Sequence, residues 1–224
     1  MTRLRLAPAL SLALLAVSMP ALAADDDHSK VNGTIRIEAG EHTGDLDTVN
    51  GGIEIGAGAQ VEDAETVNGS IEVAENASTR GLSTVNGDVR VGPGAAIDGD
   101  IETVNGGIFV DRGGDVRGGI ESVNGSIGLV DTDVAGDIET VNADLTVGAG
   151  SHVRGAIHYE EIKPSWFAFD RRDPRVVIGP NARVDGPLVF ERKVQLFVHE
   201  SATTGPVTGA TAVSYQGARG PQGD

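Results

Sequence analysis

Cysteine is absent from the sequence and aromatic residues are few, and both absences limit how the chain can fold. The 224 residues include one Trp, two Tyr and five Phe. Without cysteine there are no disulfides, so packing must supply the stability of the fold. With so few large side chains, we expect a narrow core of small aliphatic residues.

Basic residues are also scarce. The chain carries 17 Lys and Arg against 33 Asp and Glu, a formal net charge of −16 at pH 7. Nucleic acids and anionic lipids attract basic surfaces, so this charge argues against both as direct partners. It fits a soluble protein that repels its own copies at low salt, or one that associates with cations.

Long apolar runs are missing after residue 23. Arg3 and Arg5 precede a Leu- and Ala-rich stretch over 6–17, and 21–23 reads Ala-Leu-Ala, a small-x-small cleavage pattern. We predict that residues 1–23 are a secretory signal and that the mature chain begins at Ala24. The protein would then be periplasmic or secreted, with no membrane-inserted segment after cleavage.

A short repeat fills most of the chain. Val-Asn occurs seven times, six times followed by Gly, at spacings of 18 or 19 residues. Aliphatic residues two apart follow each copy, as at Ile53 and Ile55, and Gly-rich corners separate these short strands. The pattern predicts an all-β fold, a single-stranded parallel β-helix (solenoid) of about nine three-sided coils.

The handedness of the coil follows less directly from the repeat. Residues 55–60 resemble one hexapeptide of a left-handed β-helix, and 18 residues make three hexapeptides. However, one aliphatic column lies off the six-residue frame, and crossovers between parallel strands are right-handed in about 98% of cases. A right-handed coil is therefore the prediction.

The repeat divides the chain into segments. After the signal come an acidic N-terminal tail over 24–30 and regular β-helix repeats over 31–158. An aromatic and charged insertion loop covers 159–175, closing β-helix coils cover 176–216, and a flexible tail covers 217–224.

Two polar columns recur within the repeat. The first should form a structural ladder of stacked amides at a tight turn, because Asn tolerates left-handed backbone. It contains Asn32, Asn50, Asn68, Asn86, Asn105, Asn124 and Asn142. The second is acidic, and it indicates either a solvated face or a weak stripe for Ca²⁺ or Mg²⁺. It contains Asp45/Asp47, Asp63/Glu65, Asp100/Glu102 and Asp137/Glu139, with Glu121.

The insertion concentrates half of the aromatic residues of the chain. Stacked on sugar rings or docked on a partner, its side chains would form a binding site, and packed over a coil they would form a lid. The candidate binding residues are Tyr159, Trp166, Phe167, Phe169, Arg171 and Arg172.

Three segments, 91–101, 147–157 and 178–188, share one pattern, such as Val-Gly-Pro-Gly-Ala-Ala-Ile-Asp-Gly-Asp-Ile. In this pattern the chain resembles the bactofilins, bacterial proteins that polymerise through a parallel β-helix core. The resemblance implies the same fold and self-assembly. The export signal and the aromatic insertion depart from bactofilins, so no cytoskeletal role is implied.

Catalytic motifs are missing from the sequence: there is no Cys nucleophile, Gly-x-Ser-x-Gly, phosphate loop or His-Glu-x-x-His. We predict a non-enzymatic envelope scaffold, without cofactor or metal centre, that self-associates through unpaired strands at its coil ends. Tyr215 is a candidate cap of the C-terminal end. The alternative is a periplasmic or secreted binding module whose insertion contacts polysaccharide or an envelope protein.

Overall fold

The structure is a computed structural model that describes residues 27–161, 172–218 and 220–221. Within these residues all regular structure is β-strand, and the strands pair in parallel. The strands stack as a β-solenoid of about ten turns, which confirms the predicted fold class. One more turn is present than the nine predicted, because the pairing begins at His28 and continues to Tyr215.

The strands are short and follow one another without interruption by helices in the described ranges. In chain order they are β1 (His28–Asn32), β2 (Ile35–Ile37), β3 (His42–Thr43), β4 (Leu46–Asn50), β5 (Ile53–Ile55), β6 (Gln60–Asn68), β7 (Ile71–Val73), β8 (Ser78–Asn86), β9 (Val89–Val91), β10 (Ala96–Ile97), β11 (Ile101–Val110), β12 (Asp115–Val116), β13 (Ile120–Leu129), β14 (Asp133–Val134), β15 (Ile138–Val147), β16 (His152–Val153), β17 (Ile157–Tyr159), β18 (Arg175–Ile178), β19 (Arg183–Val184), β20 (Leu188–Phe190), β21 (Gln195–His199), β22 (Thr203–Thr204), β23 (Val207–Thr208) and β24 (Ala212–Tyr215).

Strand pairing divides each coil into three faces. The Thr-Val face carries the Thr-Val-Asn of the repeat and runs from β1 through β4 to β23. The Ile face carries the two aliphatic residues that follow and runs from β2 through β5 to β24. The short face is built mainly of two-residue strands and runs from β3 to β22. Long strands such as β11 pass from one face to the next without a break.

The core is a narrow column of stacked aliphatic side chains. On the Ile face the inward pair of each of the first eight coils, such as Ile53 and Ile55, is almost completely buried. The short face adds one aliphatic residue per coil, such as Val134, and the corners add small buried residues such as Ala59 and Ala95. Phe109 falls at an outward position of the Ile face and is 42% exposed.

One corner of each coil requires left-handed backbone. Glycine fills it in most coils, as at Gly58 and Gly94, whose φ angles are 67° and 68°. The exceptions are Asn76, Asn181 and Asp131, with φ between 48° and 56°, and these are the residue types that tolerate this region best. The predicted left-handed turn is thus real, but it lies between the Ile face and the short face.

The Val-Asn-Gly corner has a different requirement. The ladder asparagines do not have positive φ. Instead, a Cβ at Gly69 or Gly87 would collide with the carbonyl oxygen of the glycine one coil earlier. Glycine recurs there because neighbouring backbones approach closely, so this part of the turn prediction is corrected.

Segment boundaries also shift from those predicted. Residues 28–30 of the expected acidic tail belong to β1. The insertion begins after Tyr159, the end of β17, and ends before Arg175, the start of β18. The expected flexible tail lies partly against the Ile face, where Arg175 donates a hydrogen bond to the carbonyl oxygen of Pro221. Residues 1–26, with the predicted signal, lie outside the described residues.

Candidate functional site

The seven repeat asparagines form one ladder along the corner between the Thr-Val face and the Ile face. From Asn50 onward, each Nδ2 donates to the Oδ1 of the asparagine one coil earlier, over 3.1–3.4 Å. Most of these amides are exposed to solvent. Because water competes for exposed amides, each hydrogen bond adds only modest stability.

Arg192 ends the ladder at its C-terminal side. Its Nη1 donates to the Oδ1 of Asn142 over 2.8 Å and to the carbonyl oxygen of Val141 over 2.7 Å. Burial, the main cause, lowers the pKa of Arg192 from its ordinary value, and the nearby Asp173 opposes this. The guanidinium therefore supplies the donor that the next repeat asparagine would have supplied.

Tyr159, predicted as a binding residue, lies in the core. Its side chain is 0% exposed, and its hydroxyl donates to the carbonyl oxygen of Ala143 over 2.8 Å. Its ring centroid lies 5.4 Å from that of Phe190 in the next coil. Burial raises the pKa of the Tyr159 phenol. The register explains this correction, because Tyr159 pairs with the inward-facing Thr140.

The other predicted binding residues lie within the insertion. Trp166, Phe167, Phe169 and Arg171 lie outside the described residues. Arg172 is described, and its Nη1 lies 2.8 Å from the Oδ2 of Asp144.

The C-terminal base of the insertion is tied to the coils around it. Asp173 pairs with Lys193 over 3.1 Å, and Arg192 donates to the carbonyl oxygen of Arg172 over 3.3 Å. Arg172 and Asp173 therefore belong to a fixed network on the solenoid.

The acidic columns have two distinct roles. In three of the four pairs, the first acid (Asp45, Asp100 or Asp137) caps a corner, because its carboxylate accepts a backbone N–H from the next coil, whereas Asp63 pairs with Arg80. Asp100 accepts from Gly119 over 2.6 Å, and Asp137 accepts from Ala156 over 2.6 Å. Sequence reasoning missed this structural role, although each of these acids comes one residue before a strand of the Thr-Val face.

The second acids form a row on the Thr-Val face, which we call the acidic row. It comprises Asp47, Glu65, Glu102, Glu121 and Glu139, with Ser83 between Glu65 and Glu102. Within the described ranges, no Lys or Arg forms a salt bridge with any of the five. Partial burial and then repulsion from neighbouring carboxylates raise the pKa of each of them.

On this face the polar threonine points into the core and the apolar valine points towards solvent. The repeat threonines, such as Thr66 and Thr84, point inward, are buried, and donate to the carbonyl oxygens of Gly51 and Gly69 over 2.9 and 3.0 Å. The repeat valines point outward and are half-buried or exposed. They form the valine row: Val31, Val49, Val67, Val85, Val104, Val123 and Val141. Sequence reasoning missed this arrangement. It follows from the alternation of inward and outward residues along β4, which starts at the inward Leu46.

Two histidines lie close to carboxylates, as metal ligands often do. His152 lies 2.8 Å from Asp185 and 3.6 Å from Asp133, whereas His158 lies 3.5 Å from Glu191. In the described part of the chain, no group of three or more His, Asp or Glu could hold a metal ion. The interpretation of the acidic columns as a calcium stripe gains no support.

The two ends of the solenoid differ in how they are covered. At the N-terminal end, the inward Ile35 and Ile37 are 2% and 4% exposed. At the C-terminal end, Ala212 and Ser214 occupy the corresponding inward positions and are exposed. Tyr215 is not an end cap: its ring packs edge-on against His199 and its hydroxyl donates to Ile178. On the Ile face the more open end is therefore the C-terminal one.

The fold and these surfaces define a β-solenoid protein with long polar rows and an open end. Comparisons with protein-family models, with curated proteins and with solved structures found no match to this chain. Among the residues described, no helix is long and apolar enough to cross a membrane.

Proposed function

We propose that this chain is an exported, non-enzymatic structural protein of the bacterial envelope that self-associates through the C-terminal end of its solenoid. The observation that carries the proposal is the last coil. Its strands β22, β23 and β24 each pair with the preceding coil alone among the described residues. Unpaired strand edges template the addition of another strand.

The chemistry of the last coil fits a second copy of the same chain. Val213 is 53% exposed on β24, and Val198, Ala202 and Val207 are only partly buried beneath the end. A two-fold axis perpendicular to β24 would bring two copies of this strand together in antiparallel pairing and would cover these side chains. Such an isologous contact closes as a dimer, and longer assemblies would need the other end as well.

Light scattering of the purified protein over a range of concentrations tests this proposal. We expect dimers or larger assemblies that grow with ionic strength, because salt screens the repulsion between acidic copies. A positive charge on the edge, Val213→Lys, should return the protein to monomer. The matched change Val31→Lys at the other end should leave association unchanged. A strictly monomeric protein in low and high salt would contradict the proposal.

The second candidate is a binding module that uses the aromatic insertion to contact polysaccharide or a protein partner. The fixed network of Arg172, Asp173 and Arg192 at the base of the insertion favours it, since a binding loop benefits from a rigid support. Trp166 fluorescence distinguishes the cases. Protection from a soluble quencher without ligand would indicate a lid, whereas exposure that falls when soluble polysaccharide is added would indicate a binding site.

A further inference from the structure

The Thr-Val face carries an apolar row on its outer surface, which is unusual for a solvated sheet. Seven valines follow one another at the outward position of seven successive coils, from Val31 to Val141. Neighbouring coils lie about 4.8 Å apart, so the valine row is about 29 Å long. Val31 is 67% exposed and the other six valines are half-buried, so the row is a continuous strip of partly exposed apolar surface. A contiguous apolar strip marks an interaction site more often than scattered apolar residues do.

The acidic row runs beside the valine row from the second coil to the seventh, with Ser83 in the fourth. Asp47 and Val49 are two residues apart on β4, so the rows are about 7 Å apart. Arg80, on the neighbouring short face, pairs instead with Glu62 and Asp63. The carboxylates are partly desolvated and repel one another, so a cationic partner would relieve an existing repulsion.

We infer that the Thr-Val face is a docking surface for a basic amphipathic helix of another protein. Charge complementarity with the acidic row requires basic groups on one side of the helix. The valine row requires apolar groups beside them. A second copy of this chain does not fit, because it would bring one acidic row against another.

The spacing of the rows favours a helix over an extended strand. Along the axis of the solenoid the rows repeat every ~4.8 Å, and a helix laid along this axis repeats every ~5.4 Å. The mismatch is about 0.6 Å per turn, so it reaches about 3 Å over the five turns that the row accommodates, which side-chain rotamers and a slight tilt of the helix absorb. An extended strand repeats its side chains every ~6.8 Å on one face and loses register within two coils.

The rows also limit the extent of the site. The valine row ends at Val141, because Glu160 and Glu191 follow it in the next two coils. At the same level His158 succeeds Glu139 in the acidic row. The surface therefore spans seven coils and accommodates a helix of about 20 residues at 1.5 Å per residue.

The probe that tests this inference is a labelled peptide of about 20 residues, with Leu and Lys placed to form an amphipathic helix. Its binding to the purified protein is followed by fluorescence anisotropy, and its helix content by circular dichroism. We expect saturable binding with a gain of helix. A peptide of the same composition in scrambled order should bind more weakly, and a Leu-Glu analogue should not bind.

Double substitutions on the Thr-Val face test whether the peptide binds there. Val85→Thr with Val104→Thr should weaken binding about fivefold, and Glu102→Gln with Glu121→Gln should do so by a similar factor. The matched controls lie on the Ile face and should bind as the parent: Phe109→Thr at an exposed apolar position for the first pair, and Glu54→Gln with Glu72→Gln for the second. Thermal melts confirm that each variant is folded.

Several results would overturn the inference. Equal binding of the ordered and scrambled peptides would mean simple charge attraction to an acidic protein. Binding that the Thr-Val face variants leave unchanged would place the peptide elsewhere. Absence of binding at low ionic strength would remove the docking surface altogether.

Discussion

The coils before and after the insertion share one backbone pathway but differ at the Asn corner. Before it, each coil repeats the same polar contact, ending at Asn142. After it, Arg192 supplies the donor, and Tyr159 and Phe190 fill the core where smaller side chains stood. The comparison teaches that the repeat can be interrupted on two conditions. The last asparagine of the ladder must keep a hydrogen-bond donor, and larger side chains must fill the core beside the interruption.

The largest expected effect concerns the aromatic pair that follows the interruption. Tyr159→Ala should lower the free energy of unfolding by about 3–5 kcal/mol, because it leaves a cavity beside Phe190 and removes a buried hydrogen bond. Tyr159→Phe, which keeps the ring, should cost about 1 kcal/mol. Denaturant unfolding measures both. Similar values for the two variants would mean that packing of the ring contributes little.

The same inward column can be compared in the regular coils and near the open end. Val147 is 0% exposed, and Val198, two coils further along the column, is only partly buried. Val147→Ala should therefore cost about 2–3 kcal/mol and Val198→Ala less than about 1 kcal/mol. Equal losses in chemical denaturation would show that the C-terminal end is covered in solution.

The Asn ladder predicts a smaller effect that depends on position. Asn86 donates to Asn68 and accepts from Asn105, whereas Asn32 accepts only from Asn50 among the described residues. Asn86→Leu should cost about 1 kcal/mol, and Asn32→Leu about half of that. Melting temperatures of the two variants measure the difference. If the two fell equally, the ladder bonds would not be what stabilises this corner.

The smallest expected effect is a pH dependence from the acidic row. The pKa of Glu65, Glu102, Glu121 and Glu139 is raised above the ordinary value of 4.5. A raised carboxyl pKa means that the folded state binds protons more tightly than the unfolded state. The resulting stability is fully present below about 4.5 and is lost as pH rises through the folded-state pKa.

Melting curves from neutral to mildly acidic pH measure this effect. The parent should gain roughly 3 °C on acidification, and the variant with these four glutamates changed to glutamine should gain less and melt higher at pH 7. Glu54 and Asp185, whose pKa values are lowered by partners Arg36 and Arg183, act in the opposite direction at lower pH. A parent that melts lower on mild acidification would contradict the prediction.

The sequence predicts the coil and its inward columns, because an 18-residue period repeats each contact many times. It also allows Thr48 and Val49 to be oriented, once alternation is counted from Leu46. Tyr159 was misplaced because it looked like the start of an insertion, although its register with Thr140 makes it an inward residue. Arg192 could not be predicted, since it contacts Asn142 from 50 residues away and belongs to no repeat.

The pathway of the backbone also determines how the molecule responds to force. Each coil contacts mainly its two neighbours, so a pull on the two ends should peel the solenoid one coil at a time. A coil of 18 residues releases about 6 nm of extended chain. Ile157 pairs with Leu188, 31 residues further on, so opening this coil releases about 10 nm. A force–extension trace should therefore show evenly spaced unfolding events with one longer step. The insertion supplies the additional chain length that is released in that step.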